Sequence, residues 1–314
     1  MSALPSLRQL TYLVRLSEKL SFTQAADACF VTQSTLSGGI QELERLLGAQ
    51  LVERDRQNVR MTPVGDAVVT RARVLLSMAA DLVELAARES APLGGLLRLG
   101  AIPTIAPFLL PRLLRVSRER HPQLRIALRE DPSARVLAQL RDGALDFALI
   151  ALPWDTTGLL VRPLFDEELW LIAAEGDPAA QRARPTIAAL DPQRLLLLEE
   201  GHCLRSHTLQ GCGMTERANP SGLEASSLTT LVHMVEEGLG VALLPEMAIR
   251  AGLLNGTGVV ARPIGAPAPR RGIALVARAS TARQEAFEAL AAIAASLARE
   301  TAPRRRVAPP RRAG

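Results

Sequence analysis

Residues 21–48 read SFTQAADACFVTQSTLSGGIQELERLLG. Ser21-Phe22-Thr23 caps a short helix through Gln24, Ala25, Ala26 and Ala28. The turn Cys29-Phe30-Val31 follows. Thr32 then offers an N-cap for a helix over Gln33–Leu47 that ends at Gly48. Upstream, Leu7, Leu10, Tyr12, Leu13, Leu16 and Leu20 form a helical stripe. Two short helices and a tight turn, with small alanines where they cross, give the helix-turn-helix pattern. Many helical hairpins share that pattern. Leu51–Thr62 reads as two short strands around Arg54–Asn58, a wing, and Cys29 in the turn reads as core.

Working outward, Pro63 suits the start of a long helix running to about Ser90. Val64, Val68, Ala72, Leu75, Ala79, Leu82 and Ala86 form a lengthwise seam on it. The seam fits a dimer partner; the alternative is packing against its own domain. Ala91-Pro92-Leu93-Gly94-Gly95 breaks the chain into a new domain. From there strands and helices alternate. Strands fit Leu96–Ala101, Leu124–Glu130, Asp146–Leu152, Glu168–Ala174, Leu195–Glu199, Gly240–Leu244, Val259–Pro263 and Gly272–Ala277. Helices fit Pro107–Arg120, Ser133–Asp142, Leu228–Glu237 and Thr281–Arg299. Such alternation predicts mainly parallel sheets covered by helices on both faces. The arginine- and proline-rich end, 303–314, is expected to be disordered.

A chain of 314 residues with 48% hydrophobic side chains has room for two or three domains with their own cores. Arg15, Glu18 and Lys19 interrupt the only early apolar run, so a signal peptide is not expected, and no run is long enough for a membrane span. A cytoplasmic address follows, where thiols are normally reduced. Three cysteines exclude a disulfide scaffold. His207 and His233 have no metal-like spacing, and neither a metal nor a cofactor is expected. The net charge of +5 suggests a nucleic-acid partner only weakly, since Arg304, Arg305, Arg306, Arg311 and Arg312 match the whole excess.

The stretch Leu195–Cys212, LLLLEEGHCLRSHTLQGC, carries the chemistry. Four leucines read as a buried strand ending at a turn, and Cys203 stands where a helix begins. The unpaired N–H groups of a helix start favour a thiolate, and His202 beside it offers positive charge or a hydrogen bond. In one continuous helix Cys203 and Cys212 would lie roughly 13 Å apart on opposite faces, whereas a disulfide needs about 7 Å or less. The pair can bond only if the segment is not helical or unwinds. The competing reading is two buried, unreactive thiols.

Two sets of residues resemble a known family. Phe22, Ala25-Ala26, Val31-Thr32-Gln33, Thr35-Leu36-Ser37, Leu43-Glu44, Leu47-Gly48, Leu51-Val52-Glu53-Arg54 and Met61-Thr62-Pro63-Val64-Gly65 lie in the order of the LysR-type DNA-binding domain. Gly-His-Cys-Leu-Arg, with a second cysteine nine positions after the first, resembles the sensor segment of the peroxide-responsive OxyR branch. The resemblance implies an α+β multidomain chain: a winged helix-turn-helix over 1–62, a linker and dimerisation helix over 63–91, and an α/β regulatory domain over 92–302. That domain would comprise two subdomains folded like a type 2 periplasmic binding protein, about 92–165 with 265–302, and 166–264. The chain would cross between them near Phe165 and return near Ile264. The family often has proline where Ser34 stands and glutamine or arginine where Gly39 stands. Gly39 after Gly38 weakens the recognition helix by about 1 kcal/mol and leaves fewer long side chains for the DNA groove.

The resemblance further implies a reaction. Cys203 would attack hydrogen peroxide and Cys212 would resolve the product to a disulfide. Thr104 and Ser133 would hold the peroxide; both could simply be N-caps. His202 and Arg271, chosen over its neighbour Arg270, would favour the thiolate. Gln33, Ser34, Thr35 and Ser37 would face DNA, with Arg56 and Arg60 of the wing on phosphate. The implied partners are promoter DNA, RNA polymerase, further copies of the chain in a homodimer and homotetramer, and a cellular thiol reductant, with no membrane. The chain would not be an enzyme. Two other classes share parts of the pattern: a LysR-type regulator binding a small organic effector between subdomains, and a thiol peroxidase or solute-binding receptor.

Overall fold

The structure is a computed structural model that describes residues 4–54, 59–87, 94–215, 218 and 221–301. The chain divides into two compact units: Met1–Pro92 with Leu137–Asp146 and Ser280–Ala282, and Leu93–Val136 with Phe147–Ala279 and Arg283–Gly314. The expected disorder of 303–314, the break at Ala91-Pro92-Leu93 and the side chain of Arg56 lie outside the described residues.

In the first unit, α1 (Leu7–Lys19) starts at a reciprocal cap, with Gln9 N–H donating to Ser6 Oγ and Ser6 N–H to Gln9 Oε1. α2 (Phe22–Ala28) is capped by Ser21, and α3 (Gln33–Leu47) by Thr32 and by the left-handed Gly48. The antiparallel pair β1 (Val52–Arg54) and β2 (Val59–Met61) makes the wing, with Glu53 opposite Arg60. Leu13, Leu16, Leu36, Ile40 and Leu43 fill the core. Cys29 is only partly buried and packs against its edge.

The seam on α4 (Pro63–Ala87) is part buried and part exposed. Ala72 is buried in the domain's own core and Val68 packs against it. Val64, Leu75 and Leu82 remain about half or more exposed, as do Met78 and Val83.

The second unit is built on a seven-stranded sheet of β3 (Gly95–Ala101), β4 (Leu124–Glu130), β5 (Phe147–Leu152), β6 (Leu159–Ala174), β9 (Ala242–Pro245), β10 (Val259–Pro263) and β11 (Arg270–Arg278). The expected parallel character holds for β3 with β4 and β5. It fails elsewhere: β11 runs antiparallel to β5 and β6, and β9 and β10 antiparallel to β6. The reason is the long strand β6. Its first part, to Glu168, pairs with β11, and its last part, from Leu169, pairs with β9 and β10. A strand that crosses the sheet this way is met by chain returning in the opposite sense.

The expected strand over Glu168–Ala174 is therefore only the end of β6. Pro163 argues against a strand, but it sits beside a bulge, since Phe165 faces Ile273 and Pro163 faces Ala274 with Leu164 skipped. The strand expected over Leu195–Glu199 is shorter, β7 (Leu197–Leu198), parallel to β8 (Glu224–Ala225). Its leucines are buried on both faces: Leu196 and Leu198 enter one apolar cluster, Leu195 and Leu197 another. Helices α5 (Ala106–Arg120), α6 (Ser133–Arg141), α7 (Cys203–Gly211), α8 (Leu228–Glu236), α9 (Glu246–Arg250) and α10 (Gln284–Thr301) complete the order.

Candidate thiol site and DNA-facing surface

Cys203 is the first residue of α7, with His202 in the N-cap position. It is 1% exposed. Thr104, at the end of β3, and Ser133, at the start of α6, are each also 1% exposed, and their hydroxyls favour its thiolate. Arg271 of β11 is the largest fully buried side chain among the described residues. Its Nη1 donates to Thr104 Oγ1 at 2.7 Å and its Nη2 to the Thr104 carbonyl at 3.1 Å. Thr104 Oγ1 thus accepts from arginine and keeps its own proton for the sulfur. Asp131, held by Arg129 at 2.7 Å and Arg135 at 3.2 Å, fixes the loop that carries Ser133. Ser133 Oγ itself is buried without a fully formed hydrogen bond among the described residues.

Burial pushes the Cys203 thiol above its ordinary value, and this outweighs the opposing pull of Arg271, Ser133, Thr104 and the residue's own backbone N–H. A helix start alone therefore does not make the resting group a thiolate. The thiolate is the nucleophile, so alkylation of Cys203 should accelerate about tenfold per pH unit between about pH 7 and 9. A rate already level by pH 7 would contradict the raised value.

Of the two roles considered for His202, positive charge is disfavoured. Burial lowers its pKa, with Glu199 opposing, so the neutral imidazole is favoured. Its side chain makes no cap hydrogen bond. Positive charge reaches the sulfur from Arg271 instead.

Two residues to which the sequence assigned no role complete the arrangement. Glu167, 5% exposed, accepts from Arg271 Nε at 2.8 Å on Oε1 and from the Met247 N–H at 3.1 Å on Oε2. Arg205, on α7, donates to the Leu198 and Ala218 carbonyls at 3.1 and 3.0 Å and to Glu224 at 2.7 Å. A polar residue in a strand and an arginine on a helix carry no local sign of such burial.

Cys212 is the C-cap of α7, so one continuous helix separates the two thiols, and both are free. Cys212 is half-buried beside Leu209, and burial raises its pKa.

On α3, Gln33, Ser34 and Thr35 are exposed and Ser37 is half-buried. Thr23 Oγ1 donates to Gln33 Oε1 at 3.1 Å, tying the starts of α2 and α3 together. Thr32 Oγ1 lies 2.9 Å from Ser34 Oγ and 2.8 Å from Thr35 Oγ1. Arg60 is exposed on the wing. Gly39 is not a vacancy on the groove side: an added Cβ would meet the Tyr12 ring at 2.7 Å. Gly38 is the open position, with nothing within 4 Å. Among the described residues no group of His, Cys, Asp or Glu is placed to hold a metal, and no helix is long and apolar enough to cross a membrane.

Comparison with known proteins fits this geometry. Residues 7–66 match the bacterial regulatory helix-turn-helix protein, lysR family, and 90–299 match the LysR substrate binding domain. The HTH-type transcriptional regulator EstR of Acinetobacter baylyi is 51% identical over 92% of this chain and 96% of its own length. A probable hydrogen peroxide-inducible genes activator of Mycobacterium avium is 40% identical over 93% of this chain and 94% of its own. A full-length OxyR variant from Pseudomonas aeruginosa superposes with a TM-score of 0.77 at 36% identity, covering 93% of this chain and 95% of that one. With a lysR-family helix-turn-helix, a LysR substrate-binding domain and relatives along nearly its whole length, the chain belongs to the LysR family of transcriptional regulators.

Proposed function

We propose that this LysR-family regulator senses hydrogen peroxide through Cys203 and Cys212 and controls antioxidant genes. The observation that carries the reading is the convergence of Thr104, Ser133 and Arg271 on one buried thiol at a helix start. The Cys203 thiolate sulfur attacks one oxygen of peroxide, the O–O bond breaks, and the departing hydroxide takes a proton and leaves as water. Thr104 and Ser133 hold the peroxide, and Arg271 stabilises the thiolate. The Cys212 sulfur then attacks the sulfenic acid, forming the disulfide and releasing a second water. A cellular thiol reductant resets the pair. Peroxide is consumed once per cycle, as a signal rather than an enzyme's substrate.

The exposed face of α4 pairs two copies into a homodimer, and dimers associate into a homotetramer on promoter DNA, where the protein engages RNA polymerase in the cytoplasm. Gln33, Ser34, Thr35 and Ser37 read the major groove, and Arg56 and Arg60 contact phosphate. Arg60→Ala should weaken specific and non-specific DNA alike and reduce the salt slope by about one unit. A variant that keeps its salt slope and loses sequence preference would reverse those roles.

The test of the thiol assignment uses single variants. Cys212→Ser should accumulate a sulfenic acid at Cys203, and Cys203→Ser should be inert to stoichiometric peroxide. Equal reactivity in both variants would sink the assignment. A second reading, a regulator answering a small organic effector, is favoured by the higher identity to EstR than to the peroxide activator. It predicts that Cys203→Ser retains normal induction in cells.

A further inference from the structure

The cations of this DNA-binding chain are unevenly placed. Residues 1–62, which hold the helix-turn-helix and the wing, carry seven basic side chains against six acidic ones. Several of those cations already face acids. Arg15 pairs with Glu18 at 2.9 Å, Arg45 Nε donates to Glu42 Oε2 at 2.8 Å, and Glu53 stands opposite Arg60 across the wing. The first nine residues of α3, 33–41, hold no charged side chain at all. Non-specific affinity for DNA comes essentially from cations that release counterions from phosphate. The helix-turn-helix and wing supply little of that.

The charge stands instead in the run 302–314, which holds Arg304, Arg305, Arg306, Arg311 and Arg312 and no acid. Without these five, the basic side chains of the chain would just equal its 32 acidic ones. Guanidinium groups with no carboxylate beside them in sequence suit phosphate, whose geometry they match. The run follows Thr301, the last residue of α10. Its thirteen residues can reach at most roughly 43–47 Å, which exceeds the ~34 Å of one turn of the duplex.

From this we infer that 302–314 is a second DNA-binding element. Its arginines contact phosphates of duplex DNA beside the stretch that the helix-turn-helix reads, without regard to sequence. Each arginine on a phosphate releases condensed counterion, so the run supplies a salt-dependent affinity that the nearly neutral domain lacks. The inference stands apart from the peroxide reading, because it concerns the DNA affinity of the reduced protein.

The experiment compares the natural full-length protein with variants in which all five arginines become glutamine, or all five become lysine. Anisotropy of a labelled, long random-sequence duplex gives the affinity between roughly 50 and 200 mM salt, and thermal unfolding checks the fold. The glutamine variant should unfold at the natural temperature. Its plot of log affinity against log salt should be shallower by roughly four per chain, since each phosphate contact contributes about 0.9. The lysine variant should keep the natural slope, because charge is what releases the counterions. Arg311→Gln/Arg312→Gln, a smaller change that guards against misfolding of the fivefold variant, should flatten the slope by about two. The natural slope in either glutamine variant would overturn the inference, as would a lysine variant that loses as much as the fivefold glutamine one. Binding to phosphatidylserine vesicles that the glutamine changes abolish, with DNA affinity unaltered, would assign the run to a membrane surface and overturn it too.

Discussion

Arg271→Met is expected to lower the stability of the regulatory unit by about 3–5 kcal/mol, the cost of leaving one member of a buried ion pair alone. Arg271 and Glu167 are 1% and 5% exposed, and the guanidinium also makes two hydrogen bonds to Thr104. Removing it strands the Glu167 carboxylate and leaves the Thr104 carbonyl without that donor. The same change withdraws the cation that lowers the Cys203 pKa, so thiol alkylation at neutral pH should slow as well. Thermal unfolding of the regulatory transition and alkylation rate check the two effects. The double variant Arg271→Met/Glu167→Gln should recover much of the stability, since no charge is then buried alone, but none of the reactivity. A single variant as stable as the natural protein would mean the pair is not buried as described.

The second large effect concerns α7. Closing a Cys203–Cys212 bond across about 13 Å of helix requires unwinding it. Leu204 and Leu209, buried to 2% and 0% exposure, must leave their clusters, and Arg205 must give up its bonds to Leu198, Ala218 and Glu224. Emptying a buried leucine site costs roughly 2–5 kcal/mol, so the reduced packing opposes closure of such a bond. Hydrogen exchange should show protection over 203–211 in the reduced protein and its loss on oxidation. Identical protection in both forms would mean that this helix is no switch. Arg205→Ala removes one restraint. If it lowers the barrier to unwinding by about 1.4 kcal/mol, disulfide closure should speed up about tenfold.

What the sequence made legible follows from how local each signal is. Ser21, Thr32 and Gly48 announce the ends of α2 and α3 because capping is settled by the capping residue and its nearest neighbours. Cys203 at a helix start is legible for the same reason. Thr104, Ser133 and Arg271 come from segments far apart in the chain, and only the family resemblance brought them together. The structure then places all three around Cys203. The roles of Glu167 and Arg205 escaped because their burial depends on partners across the fold. The first part of β6 escaped because Pro163 reads as a breaker until the bulge beside it is seen. Gly39 was misread for a related reason: sequence gives the residue but not its surroundings. Burial disfavours the charged imidazole of His202, and the Tyr12 ring occupies the space beside Gly39.

In the proposed mechanism, peroxide joins two thiols which the resting helix holds apart. Mass spectrometry of the purified, reduced full-length protein after about one equivalent of peroxide, with alkylation and peptide mapping, tests it most directly. The account predicts a loss of two hydrogens and a disulfide joining the Cys203 and Cys212 peptides, with Cys29 still alkylated. Cys203 and Cys212 both recovered as alkylated thiols, or a disulfide that includes Cys29 instead, would contradict it.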